Sequence, residues 1–243
     1  MAMASKTLNA KNLEALGAVR LAEMLMRISE GNAVAKRQLR LELASLESPA
    51  KAASEIRKRL QSIRRARSHL DWQAAKAVAS DLEAQRRAIV EKIAPSNPSE
   101  ALDLLWQFLD TAHATTGRVM SGGDGIAAAF QAATEDLGNI AATAKPDPVG
   151  LADRLFALWQ DDEYGPSIDL METLAPALGS VGVARLKTQF AAIVGDRPPP
   201  RPRRSGMGAM TDEGETWKVS GARQALRGIA DIEGDPDAFA AQY

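Results

Sequence analysis

Few stretches of this chain bring together residues that could hold or transfer charge. Ser48-Pro49-Ala50-Lys51 has the spacing of a serine nucleophile three residues ahead of its lysine. The companion motifs S-D-N and K-T-G are absent. Ser-Pro is also a helix start, with Ser48 as cap and Pro49 at a position where a missing N–H costs nothing. Ser121-Gly122-Gly123-Asp124-Gly125 is a glycine-rich turn ahead of a helical pattern, and amides at such a turn are able to cradle phosphate. It lacks the Gly-Lys-Ser/Thr ending, no strand precedes it, and Asp124 brings negative charge to the phosphate position. A plain turn is expected there.

The remaining polar clusters are no stronger. Asp161, Asp162 and Glu163 are adjacent, and Asp212, Glu213 and Glu215 lie close together. Paired carboxylates do acid–base work when one is desolvated, whereas consecutive acids at helix ends and in loops stay hydrated. The second group also lacks the full spacing of a calcium loop. His69 and His113 are the only histidines, neither with a partner ligand at metal-site spacing, and the chain has no cysteine. No catalytic residue, cofactor-binding residue, cofactor or metal site is therefore expected, and no enzymatic activity.

One cluster does stand out. Arg57, Lys58, Arg59, Arg64, Arg65 and Arg67 fall within eleven positions of a chain whose formal net charge is −1. At 100° per residue, Ile56, Leu60, Ile63 and Leu70 form one stripe that must face a core. Arg57, Lys58, Arg64 and Arg65 form another stripe away from it, a contact surface for a polyanion or an acidic partner if it is more than a solvated helix face. Arg59 flanks the apolar stripe, and Arg67 falls within it, to snorkel or to pair with Asp71. Four phosphate contacts would give log K a slope of roughly −4 against log salt on duplex DNA. No helix-turn-helix, zinc finger or interleaved aromatic series accompanies these residues, so nucleic acid is a secondary reading to a protein partner or self-association. Trp72, Trp106 and Trp159 sit in apolar helical patterns and are expected in the core. Trp217, beside Lys218 in a Pro/Gly-rich segment, is the aromatic expected to touch a partner.

These residues are carried by helices almost everywhere. The chain has 243 residues, of which 45% are hydrophobic, 25% charged and 5% aromatic. That balance belongs to a folded globular protein whose apolar content is mostly Ala, Leu, Ile and Val, and Ala and Leu favour helix. Helical periodicity runs from Leu8 to Gly31 with a break at Gly17, and Asn9 or Asn12 is placed to cap it. It continues over 33–46, from Ser48 to about His69, and over 72–93 behind Asp71. Asn97-Pro98, Asp147-Pro148 and Asp235-Pro236 each open a further helix, and others are expected at 125–143, 167–178 and 181–194. ALDLLWQFL (101–109) and LADRLFALW (151–159) follow prolines 50 positions apart, near the length of a helical repeat.

The predicted fold is all-α, a right-handed stack of antiparallel helix pairs of helical-repeat or solenoid type with one long Pro/Gly-rich loop. A helical domain is expected over 1–194, a loop over 195–221, and a helical segment over 222–243 that begins further repeats of a longer chain. Residues 1–94 carry 18 Lys+Arg against 10 Asp+Glu, while residues 95–194 carry 5 against 13. A basic half followed by an acidic half points to association, internal or external. The N-terminus lacks the apolar core of a secretory signal, and no apolar run approaches the ~20 residues that span a bilayer, so the expected compartment is the cytoplasm.

The runs TLNAKNLEALGAVRLAEMLMRIS, RQLRLELASLESPAKAASEIRKRLQSI and DLEAQRRAIVEKIAP…PSEALDLLWQFL, with GDPDAFAAQY near the end, resemble an uncharacterised family of bacterial, mainly alphaproteobacterial, all-helical proteins classed as a domain of unknown function. The resemblance covers most of the chain and is closest over the first 110 residues. It implies a helical fold and a chain shorter than the longer members, and it carries over no catalytic residue.

Overall fold

The computed structural model describes residues 7–161, 167–195 and 217–241, with all side chains among them except those of 161, 167–169 and 217. The fold is all-α. Among the described residues the only extended pairing is a single parallel bridge between Leu70 and Val119. The helices are α1 (Ala10–Glu14), α2 (Ala18–Ser29), α3 (Ala33–Glu47), α4 (Pro49–Arg65), α5 (Trp72–Ala88), a π turn (Ile89–Ile93), α6 (Pro98–Leu109), α7 (Ala112–Thr116), α8 (Asp124–Ala144), α9 (Pro148–Asp161), α10 (Ser167–Val194), α11 (Trp217–Glu233) and α12 (Pro236–Ala240).

Most of these helices begin where a short polar side chain can accept from the first turn. Asn9, Asn32, Ser48, Asp71 and Asp235 each accept a backbone N–H from the residue three positions on. Asn97 and Asp147 do the same for α6 and α9. Each such cap satisfies a donor that the helix itself leaves unpaired, typically worth about 1 kcal/mol. The breaks are equally local. Gly179 adopts φ 54° inside α10, just beyond Pro176, and divides that element into the two helices expected there.

The chain packs as two compact units. The first comprises Met1–Ser96 with Asp110–Ala129, the second Asn97–Leu109 with Phe130–Tyr243. In the first unit, Ala52, Ile56, Leu60 and Ile63 form the buried stripe of α4. Burying each large aliphatic side chain contributes about 1.5–3 kcal/mol. Leu70 is buried too, but from outside the helix. Ala66 turns extended after Arg65, and Leu70 then exchanges backbone hydrogen bonds with Arg118 and Met120 at 2.8 and 3.0 Å.

The second unit packs α9, α10 and α11 around Phe156, Trp159 and Phe190, whose ring centroids lie 4.9–5.9 Å apart. Edge-to-face contacts dominate, as the ring quadrupoles favour. Gly138 allows α8 to approach α10 so closely that a Cβ there would lie 2.5 Å from Thr173 Cγ2.

Several expectations need correction. The basic helix ends at Arg65, so Arg67 and His69 lie beyond it and are exposed. Trp106 and Trp159 are buried, but Trp72 is 59% exposed. It stands at the first position of α5, over Gly122 and under the Lys76 ammonium. The helix expected from about Ala222 starts at Trp217, so Trp217 heads α11 instead of sitting in a loop. Residues 196–216 and the side chain of Trp217 lie outside the described residues, as do the side chains of Asp161–Glu163 and Asp212–Glu215. Among the described residues no helix is long and apolar enough to cross a membrane.

Candidate functional site

The first unit holds a groove of about 430 Å³ between α3 and α4, with Gln85 of α5 at its base. Its construction follows from the hairpin. Only Ser48 separates α3 from α4, so the two helices run back antiparallel. On α3, Lys36, Arg37 and Arg40 stand at i, i+1 and i+4, a spacing that puts them along one side. On α4, Glu55, Lys58, Arg59 and Ser62 stand at i, i+3, i+4 and i+7 and face them. Five cations thus line one groove with a single carboxylate, Glu55, among the lining groups.

The floor of the groove holds the key group. Asp81, on α5, has a side chain only 1% exposed. Its Oδ2 accepts from Arg59 through Nε at 2.7 Å and Nη2 at 2.6 Å, and from Arg37 Nη2 at 3.0 Å. Its Oδ1 accepts from Gln85 Nε2 at 3.3 Å. One buried carboxylate therefore fixes two guanidinium groups. Fixing costs flexibility but not charge, since two cations share one anion and a positive surplus remains. The Nε of Arg37 is buried and lacks a hydrogen-bond partner.

Around this network the field stays positive. Arg118 is buried and donates to backbone carbonyls, from Nε to Ala114 at 2.9 Å and from Nη1 to Ser68 at 3.3 Å. Burial, then the charges of Arg59 and Arg67, push its guanidinium below the ordinary arginine value. By contrast, Arg86 is bound by both carboxylate oxygens of Glu83, and Arg87 pairs with Glu91 at 3.0 Å. Those two cations are offset within α5 and the π turn that follows it.

Of the four stripe residues singled out from the sequence, only Lys58 lines the groove, where it also pairs with Glu55 at 2.7 Å. Arg57 is half-buried, and Arg64 and Arg65 are exposed beyond the groove. The group that organises the site, Asp81, was not singled out. A signal for it exists: Asp81 falls on the same helical stripe as Val78, Leu82 and Gln85, a lone acid on an inward face.

The other clusters resolve as structure. Ser48 Oγ accepts from the Lys51 amide at 3.2 Å and the Lys51 ammonium pairs with Glu47, so this serine caps a helix. At the glycine turn, Gly122 has φ 71° and lies so close under Trp72 that a Cβ would fall 2.6 Å from the indole Cδ1. Among the described residues no three His, Cys, Asp or Glu side chains come together as a metal site.

In the second unit, a recess of about 300 Å³ lies between α6 and α9. Arg154 covers the Trp106 ring at 5.0 Å from its centroid and pairs with Asp103 at 2.8 Å. Asp147 accepts the Gly150 amide at 2.6 Å, so the N-terminus of α9 is satisfied by its own cap.

An all-helical protein with a rigid basic groove is the class that fold and site define. The chain belongs to a family of unknown function, DUF6880, whose pattern matches residues 3–243. No curated protein and no solved structure matches it.

Proposed function

We propose that this chain is a non-catalytic interaction protein of helical-repeat type, working in the cytoplasm, which binds another protein through its first helices. The observation that carries this reading is the number of exposed apolar side chains on α2 and α3. Val19, Leu25, Met26 and Ile28 on α2 are all exposed, Met26 by 66% and Ile28 by 63%, and Leu46 on α3 is 84% exposed. Exposed apolar side chains are ordinary one at a time, whereas a concentration on consecutive elements is characteristic of an interaction surface.

The occupant we assign is an amphipathic helix of a partner whose apolar face is flanked by acidic residues. Charge complementarity favours it, because residues 1–94 carry the excess of 18 cations over 10 anions. The repeat architecture is supported by Asp103 and Arg154, which lie 51 positions apart and bring α6 and α9 side by side with both N-termini at one end. Stacked helical pairs of this kind build extended binding surfaces.

Synthetic helical peptides with one apolar stripe and either acidic or basic flanks provide the test. Saturable binding of the acidic-flanked peptide, lost in Leu25→Asp with Ile28→Asp, is the expected result. Equal binding of both peptides overturns the assignment, as does dimerisation of the chain that the same substitutions abolish. In the latter case the surface belongs to a second copy.

A further inference from the structure

We infer that the groove between α3 and α4 is a binding site for a compact ligand carrying two or three linked phosphoryl groups. The inference stands apart from the apolar surface of α2 and on different residues.

Three observations converge on this ligand. The first is charge. Lys36, Arg37, Arg40, Lys58 and Arg59 face one groove that holds only Glu55 and, beneath it, Asp81, leaving three net positive charges. Lys36 and Arg40 are exposed and have no ion-pair partner among the described residues. These two unpaired cations stand one turn apart on α3 and repel each other, and the arrangement becomes favourable when a multivalent anion enters.

The second observation is preorganisation. Asp81 holds Arg37 and Arg59 from behind, through hydrogen bonds of 2.6–3.0 Å, with its carboxylate sealed from solvent. A guanidinium positioned before its ligand arrives loses less freedom on binding, and its N–H groups not taken by Asp81 remain as donors for phosphoryl oxygens. The buried Arg37 Nε, with no partner of its own, belongs to the same fixed guanidinium.

The third is size and composition. From Ala33 to Arg40 the α3 wall of the groove is about 10 Å long at the helical rise per residue. That length fits a pyrophosphate or triphosphate chain. The lining contains no aromatic ring, so there is no platform on which a nucleobase would stack. A nucleic acid strand would have to run past Ser62 on α4 towards Arg64 and Arg65, which do not line the groove. Recognition therefore addresses the phosphoryl groups themselves.

The test is calorimetric titration of the full chain with tripolyphosphate, pyrophosphate and orthophosphate at about 0.15 M salt, where exposed charges are screened beyond about 8 Å. One-to-one binding of tripolyphosphate is expected, tighter than that of orthophosphate by at least about tenfold. Lys36→Gln with Arg40→Gln, both on exposed side chains, is expected to weaken it by at least about tenfold, while Arg64→Gln with Arg65→Gln leaves it unchanged. The proposal is overturned by an absence of saturable binding or by a smaller loss in the first double variant. An equal loss in the second also overturns it. So does a single-stranded oligonucleotide of about 20 nucleotides that binds more tightly than tripolyphosphate, which would make the site part of a nucleic-acid surface.

Discussion

Arg59 reaches Asp81 through both Nε and Nη2, at 2.7 and 2.6 Å, across 22 positions of sequence. The carboxylate it grips is closed to solvent and also holds Arg37. Helix α5 is thereby tied to α4 and α3 by one anion. Removing a partner from such a buried pair leaves charge uncompensated, which costs far more than the intact pair contributes.

Asp81→Asn keeps the volume and removes that anion. It is expected to destabilise the chain by about 3–5 kcal/mol, read from the midpoint of urea denaturation. Arg37→Met in the same background should cost less than it does alone, because the surviving guanidinium pair repels. A double-mutant cycle with no coupling between the two positions would contradict the network.

Ser48→Ala tests the two meanings of Ser-x-x-Lys. As a cap lost, it should lower stability by about 1 kcal/mol. Ser48→Asp, which restores an acceptor for the Lys51 amide, should recover most of the loss. A stability unchanged by the alanine would remove the capping role.

Gly138 sits mid-helix, where alanine ordinarily adds up to about 1 kcal/mol through propensity. Here the sign should reverse. The new methyl would meet Thr173 Cγ2 at 2.5 Å and the Thr173 carbonyl oxygen at 2.9 Å. Gly138→Ala is expected to lower the thermal midpoint, and Thr173→Ser should relieve only part of this because the carbonyl remains.

The stability of the second unit should weaken at both ends of the pH scale. The hydrogen bond from Arg185 holds the Asp153 carboxyl below the ordinary aspartate value. Its contribution is therefore full above that ordinary value and lost as pH falls through the lower, folded one. Lys187, hydrogen-bonded to Glu233 at 2.5 Å, is held above the ordinary lysine value, so its contribution is full below that value and lost as pH rises through the folded one. Asp153→Asn should flatten the acid limb of a stability profile and Lys187→Met the alkaline limb. These exposed pairs are screened, so both effects shrink in concentrated salt.

Local signals made most of the helices legible from sequence. Asn9, Ser48, Asp71, Asn97, Asp147 and Asp235 all cap where short polar residues before helical patterns said they would, while Asn32, expected only at the end of one helix, caps the next. The Ile56, Leu60 and Ile63 stripe faces inward as its spacing requires. What periodicity could not convey was pairing between elements. The groove exists because α3 folds back on α4 and α5 supplies Asp81 from below, contacts distant along the chain. Trp72 shows the opposite failure, an apolar residue whose position at a helix start leaves it exposed beside Gly122. Arg67 misled because a helical wheel keeps turning after the helix has stopped at Arg65.

The clasp between Leu70 and Arg118 has a consequence for anyone who would dissect the chain. The first unit needs residues 110–129 to close it, yet residues 97–109 between its two parts belong to the second. The units are interleaved along the chain, so no single cut yields both intact. A fragment ending at Ser96 would leave the Leu70 amide and carbonyl without their partners on Arg118 and Met120, and would take Gly122 away from Trp72. The gene can be divided at one point, but the fold cannot.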